Sequence, residues 1–250
     1  LHFKLKISTV NLFQKFYMPK RNHIKIYTLE EIFPAWDGLT PDERQYVKSN
    51  FTIQTFEKNQ KIHSEGDIPS HVMLLASGKL KVFKQGLSKR PQIVRLLKPG
   101  NTFGYRAIIA KSNYNTNVVA METSIIYMLK ANIFINILQH NNAFCFFYLT
   151  DMAEDLGNSD KMAVNLTQKH IRGRLAETLL TLKEIYGTEE DGATINIKLS
   201  REELASMSNM TTSNAIRTLS LFFSEKLVDI WGKNIKIINE EELKKISKSG

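Results

Sequence analysis

A single cysteine, Cys145, in 250 residues excludes an internal disulfide, a Cys-rich zinc site and a Cys-ligated iron–sulfur cluster. A lone thiol also fits a reducing compartment. No stretch approaches the roughly 18 uninterrupted apolar residues of a membrane span. The N-terminal segment has lysines but neither an apolar run nor a small-residue cleavage site, so no signal peptide is read there. Acid is missing from residues 1–27, which carry Lys4, Lys6, Lys15, Lys20, Arg21 and Lys25. Most of the net charge of +9 sits in that segment, because residues 28–164 hold 15 basic against 13 acidic side chains and residues 165–250 hold 13 against 12. Bulk charge therefore does not establish a nucleic-acid partner. The basic arm could touch polyanions or be an extension, with Met18 as an alternative start. What is present, 42% apolar and 24% charged residues, supports a buried core in one large or two ordinary domains. The expectation is a cytoplasmic protein with no membrane partner.

Residues 28–50 read as helical, with Thr40 as N-cap, Pro41 at N1 and acids in the first turn. Short strands follow: Phe51–Phe56, His71–Ala76 with loose alternation, Lys79–Phe83 and Ser124–Leu129. Turn residues at Glu65-Gly66-Asp67, Ser77-Gly78, Gln85-Gly86, Pro99-Gly100 and Gly104 punctuate them. Many short strands at close spacing indicate a small antiparallel barrel or roll. The period then lengthens. Leu149, Met152, Leu156, Ser159, Ala163 and Leu166 form a heptad-like stripe on a helix over 141–166, read as a dimer seam. Asp151, Asp155 and Asp160 cover the rest of that helix, and Cys145 among Phe144, Phe146 and Phe147 reads as buried. Thr167 is taken as the N-cap of a further helix ending near Gly187.

Residues 198–238 are the most informative. Ser200 with Glu203 forms a capping box, Leu204, Ala205 and Met207 face inward, and Asn209 suits the left-handed corner of a tight helix–helix turn. Thr211 caps a second helix from Thr212, with Ala215, Ile216, Leu219 and Phe222 at helical spacing. Leu227–Trp231 and Asn234–Ile238 flank Gly232-Lys233 as a hairpin wing. This is a winged helix-turn-helix. Thr212, Ser213, Asn214 and Arg217 share one exposed side. Arg can grip guanine, Asn can grip adenine, and hydroxyls can meet base or phosphate. Ser200, Thr211 and Lys233 are candidate phosphate contacts.

These segments carry a resemblance. Phe56-Glu-Lys-Asn-Gln-Lys-Ile62, Glu65-Gly66-Asp67, Leu75-Ala-Ser-Gly78-Lys-Leu-Lys-Val-Phe83 and Leu97-Lys-Pro-Gly100-Asn-Thr-Phe103-Gly104 lie in the roll. Leu199-Ser-Arg-Glu-Glu-Leu-Ala205 and Thr211-Thr-Ser-Asn-Ala-Ile-Arg217 lie in the C-terminal motif. In this order they resemble the cyclic AMP receptor protein/FNR superfamily of bacterial transcription regulators over about residues 30–240. With the basic extension read from its charges, the resemblance implies an α+β chain with four parts. A basic extension (1–27) precedes an effector-sensing β-roll of the cyclic-nucleotide-binding, jelly-roll type (28–140). A dimerisation helix (141–166) and a winged helix-turn-helix (167–250) follow. It also implies double-stranded DNA, a second copy of the chain and RNA polymerase as partners.

The sensing residues depart from the family. Its cyclic-nucleotide binders follow Phe-Gly with a Glu for the ribose and place an Arg for the phosphate about ten residues later. Here Tyr105 follows Gly104, the Arg position falls near Asn115 or Thr116, and no Arg occurs from 107 to 171. A buried phosphate needs such donors, so cAMP is not expected; neither is an iron–sulfur cluster or a metal. Arg106 leaves room for a different anion, so Gly104, Tyr105, Arg106 and Asn115 mark the candidate effector pocket. The family's Arg-Glu pair at the start of the recognition helix corresponds to Thr212-Ser213, which predicts a different DNA target. P-loop, Ser-elbow, zinc and dinucleotide motifs are all missing, so no enzyme is expected. An effector-independent regulator, or a signalling module whose helix-turn-helix binds protein, is the competing reading.

Overall fold

The computed structural model describes residues 27–86 and 90–249; apart from Tyr27, the basic extension read at 1–27 lies outside them. Two short helices, α1 (Leu29–Ile32) and α2 (Pro41–Asn50), each start on a capping box, Thr28 with Glu31 and Thr40 with Glu43. Strands β1 (Thr52–Phe56), β2 (Lys61–His63), β3 (His71–Ser77), β4 (Leu80–Gln85), β5 (Pro91–Leu97) and β6 (Thr102–Phe103) follow. A short helix α3 (Tyr105–Ile109) interrupts them before β7 (Asn117–Ala120) and β8 (Ser124–Lys130). They form two four-stranded antiparallel sheets, ordered β1-β8-β3-β6 and β2-β7-β4-β5. This is a roll. Its interior holds Phe56, Met73, Leu75, Leu80, Val82, Leu97, Phe103, Val118 and Ile126.

Strand β3 explains why its alternation reads loosely: six of its seven residues are buried. Met73 and Leu75 fill the roll, while Val72 and Leu74 face a helical layer on the outside. A strand covered on both faces has no polar side to alternate with. Gly78 is needed just after it. Its φ is +96°, and a Cβ there would come within 2.3 Å of Ser124 Oγ.

Helix α4 (Ala131–His140) leads to the long helix α5 (Asn142–Gln168). Asn141 joins three elements: its side chain accepts from Phe144 N and donates to Gly38 O and Glu43 Oε2. Inward-facing Phe144 and Tyr148 stack edge-on against Phe134, both buried completely or nearly so. Between them, Phe147 still packs partly on this cluster while Cys145 and Phe146 point outward, so Cys145 is exposed rather than buried. Three flanking phenylalanines suggested a buried thiol, but a helix turns about 100° per residue and only part of that run can face in.

The outward stripe of α5 is also rotated from the expected one. Leu149, Leu156, Ser159 and Ala163 are exposed as expected, and Phe146, Ala153 and Asp160 extend the exposed face at spacings of three and four, whereas Met152 turns partly toward the chain's own core and Leu166 is half-buried. Thr167 caps nothing. It lies inside α5 and donates back to Ala163 O and Val164 O, a bond open to any helical threonine. The break comes at Lys169-His170, before α6 (Ile171–Tyr186).

The C-terminal unit adds α7 (Arg201–Met207), α8 (Thr212–Ser224), a hairpin β9 (Val228–Trp231) and β10 (Asn234–Ile237), and α9 (Glu240–Ser249). Leu175, Leu179, Leu204, Ala205, Leu219, Phe222, Val228 and Ile235 form its core. Ile93 and Leu96 of β5 belong to the same core, so the roll's edge strand is packed into the C-terminal unit.

Candidate nucleic-acid interface and roll cavity

The helix-turn-helix corner is built by short-range devices. Ser200 accepts from Glu203 N, and Glu203 Oε2 accepts from Ser200 N. Asn209 holds φ +47°, and Met210 N donates to Ala205 O at 3.0 Å to close the turn. Arg174 of α6 donates to Ser208 O at 2.9 Å and to Asn209 O at 3.2 Å, so a half-buried guanidinium fork pins the corner from behind. Thr211 Oγ1 accepts from Asn214 N at 3.1 Å and starts α8.

On α8, Ser213 and Arg217 are exposed, and Thr212 and Asn214 are half-buried beside them. Arg217 Nη2 donates to Asn214 Oδ1 at 2.6 Å. The two prospective base readers therefore hold each other in this structure. Ile216, expected at an inward position, stands 48% exposed on this face. The helical spacing of Ala215, Leu219 and Phe222 is genuinely buried, and Ile216 falls one residue outside it. Lys233 is exposed at the wing tip, and Arg201 Nη2 fixes that tip by donating to Gly232 O at 3.1 Å. Arg201 escaped the sequence reading, since nothing local pairs it with a residue 31 positions away.

The second site lies between the roll and α5, in a cavity of about 820 Å³ lined by residues of β5, α3, α5 and α6. Gly104 caps α3 at φ +86°; a Cβ would meet Met73 Cε at 2.8 Å. Tyr105 is buried, and its hydroxyl donates to Asp151 on α5; burial, and then that carboxylate, push its pKa up to about 12. Arg106 pairs with Asp155, and Arg95 of β5 reaches the same oxygen, Asp155 Oδ2, at 2.7 Å. Asp151 and Asp155 are thus not a solvated helix face; they tie α5 to the roll. Burial, and then the neighbouring Arg106, lower the pKa of Arg95. Asn115 is exposed at the rim, its carbonyl accepting from Lys84. Arg95 went unnoticed in the sequence because β5 itself did.

Beyond the cavity, the two units are joined through β4 and β5. Ser206 of α7 donates to Pro91 O at 2.6 Å and accepts from Ile93 N at 2.8 Å. Lys81 of β4 pairs with Glu203 at 2.7 Å, and Arg90 donates to Met210 O at 2.8 Å.

Residues 53–141 match the family described as cyclic nucleotide-binding domain, and residues 173–246 match the Crp-like helix-turn-helix domain. Among curated proteins, the chain is 24% identical to "Probable transcriptional regulator flp" of Lacticaseibacillus casei, over 85% of this chain and 94% of that one. It is 22% identical to the cyclic AMP receptor protein of Thermus thermophilus (86% and 96% covered). It is 24% identical to the global nitrogen regulator of a Nostoc species (74% and 84%). Among solved structures, a crp/fnr-family transcriptional regulator from Eubacterium rectale superposes with a TM-score of 0.72 at 20% identity, covering 88% of this chain and all of that one. FixK2 from Bradyrhizobium japonicum gives 0.72 at 17%, covering 80% and 98%. At these identities the structures speak to the fold alone.

Proposed function

The chain belongs to the CRP/FNR family of transcriptional regulators with a helix-turn-helix DNA-binding domain, and from that premise we propose that it acts as a homodimer on a specific near-palindromic duplex under control of a small effector other than cAMP. The observation that carries this reading is the outer face of α8. It is polar, bears one arginine and stands beside a clamped wing. Arg217 would read guanine, Thr212 and Ser213 would meet bases or phosphate, and exposed Ile216 offers an apolar contact to a thymine methyl. Lys233, Thr211 and the start of α7 would hold phosphates, which position the helix without reading sequence.

A second copy supplies the second half-site. Its seam is the exposed stripe Phe146, Leu149, Ala153, Leu156, Ala163 of α5, which no part of the described chain covers. Against cAMP stands Tyr105, which follows Phe103-Gly104 at the sequence position where the family's cyclic-nucleotide binders carry Glu, and whose hydroxyl is engaged by Asp151.

Selection of the purified protein against random duplexes tests the reading. Enrichment of an inverted repeat, with half-sites about 10–10.5 base pairs or a multiple apart, is the expected result. No enrichment at low salt, with or without cell extract as effector source, would sink it. A rise in melting temperature on adding cAMP would overturn the effector half, because a ligand of the folded state must stabilise it.

A further inference from the structure

Two guanidiniums, Arg95 from β5 and Arg106 from α3, converge on one oxygen, Asp155 Oδ2, at the wall of the 820 Å³ cavity. Like charges are not brought together beside a cavity without cause, and one carboxylate oxygen does not exhaust two five-donor forks. Indeed Arg106 Nε is buried with no hydrogen-bond partner. Asp155 itself is only partly enclosed, and it sits on α5 rather than on the roll.

We propose that Asp155 is an internal stand-in for the effector, and that the effector is a small oxyanion, a carboxylate or phosphate, which takes the Arg95–Arg106 pair away from it. This rests on the reading of the chain as an effector-controlled regulator and names the chemistry of that control. An oxyanion with several acceptor oxygens can engage both forks and the idle Nε, which a single shared oxygen does not. Asn158 on the next turn of α5 lines the same cavity, and its side-chain amide offers further donors. The exchange would have two mechanical consequences. Asp155 is released, loosening α5 from the roll, and Arg95 is redirected. Arg95 lies on the strand whose Pro91 carbonyl and Ile93 amide hold Ser206 of the helix-turn-helix. Strand β5 thus links the anion site to α7 in a single element.

Calorimetric titration of the full chain with inorganic phosphate and, separately, with succinate tests this. Asp155→Asn removes the competing charge while keeping shape. It should bind at least one probe about tenfold or more tighter than the wild type, within the usual span for coupled sites. Arg106→Gln added to it should abolish the gain. A phosphate-only response assigns a phosphate ester, a succinate-only response a carboxylate. Equal affinity in Asp155→Asn and wild type for both probes, or a gain that survives Arg106→Gln, overturns the proposal. Should Asp155→Asn fail to fold, the thermal shift of wild type against Arg106→Gln decides. A shift confined to the wild type supports the site, and equal shifts or none overturn it. Duplex selection on the same wild-type sample separates the two claims. An enriched duplex without any anion response refutes only the anion site, whereas an anion response without an enriched duplex refutes the regulator reading.

Discussion

The helix-turn-helix corner and the roll cavity are built on opposite plans. At the corner, the bonds that shape the turn span three to five residues, Ser200 to Glu203, Thr211 to Asn214 and Met210 to Ala205, and Arg174 braces the finished turn from outside. In the roll, the deciding contacts join residues far apart in sequence: Tyr105 to Asp151, Arg95 to Asp155, Phe33 to Phe144. Local devices shape a surface that meets a partner of fixed form. Long-range ones enclose a volume and couple its walls, so a disturbance in the cavity is felt in α5 and β5 together. The difference implies that single changes should cost far more in the roll than at the corner.

The sharpest break is Phe144→Ala. Phe144 is fully buried, with rings of Phe134 at 5.7 Å and Tyr148 at 5.0 Å. Large-to-small changes of this kind cost about 3–5 kcal/mol. Denaturant titration measures it, and a loss under about 1 kcal/mol would mean that α5 does not depend on this cluster for its seat on the roll.

His63 tests the roll from another side. It is stacked on Tyr114 with ring centroids 3.7 Å apart, and burial, against the opposing pull of Asp67, pushes its pKa down to about 4. A folded value below the unfolded one means that the folded state holds fewer protons in between. The stabilisation is therefore present above pH 6.5 and is lost as pH falls toward about 4. It amounts to about 3 kcal/mol. His63→Phe keeps the stack and removes the titration, so its stability should fall less over that range. An acid loss equal to the wild type's would assign the effect to other groups.

Legibility in the sequence follows the same division. Capping boxes at Thr40 and Ser200, the left-handed Asn209 and the wing are all local, and the residues that specify them are adjacent. Strand β5 is harder to see: it opens on Pro91, which only an edge strand tolerates, and its apolar residues serve two cores at once. Arg95 is hidden with it. Asp151 and Asp155 look solvated because their partners are 46 and 60 residues away. Thr167 misleads for the reverse reason, since a threonine that caps and one that bonds back within a helix are alike in sequence. The short-range grammar is written in neighbouring residues; an ion pair across the fold is not.

At the corner the first expected effect is on recognition rather than folding. Arg217→Ala should lose about 1–3 kcal/mol of discrimination between the selected duplex and one altered at its guanine, with little change in melting temperature because the side chain is exposed. Competition binding measures it, and uniform weakening on all duplexes would make Arg217 a phosphate contact instead. Its bond to Asn214 predicts that Asn214→Ala also broadens selectivity, by freeing the guanidinium it now orients.

The smallest effect is the most direct measure of what a local device is worth. Asn209 is exposed, its side chain makes no hydrogen bond among the described residues, and its carbonyl is held by Arg174 whatever the residue. Only its φ of +47° constrains the choice. Asn209→Ala should therefore cost about 1 kcal/mol, the strain of a Cβ in the left-handed region. Asn209→Gly should stay within about 0.5 kcal/mol of the wild type, since relief of strain offsets the greater freedom of the unfolded chain. Equal losses for the two variants would show that the amide side chain, not the backbone angle, secures the turn. The corner would then depend on a contact of the kind that holds the roll together.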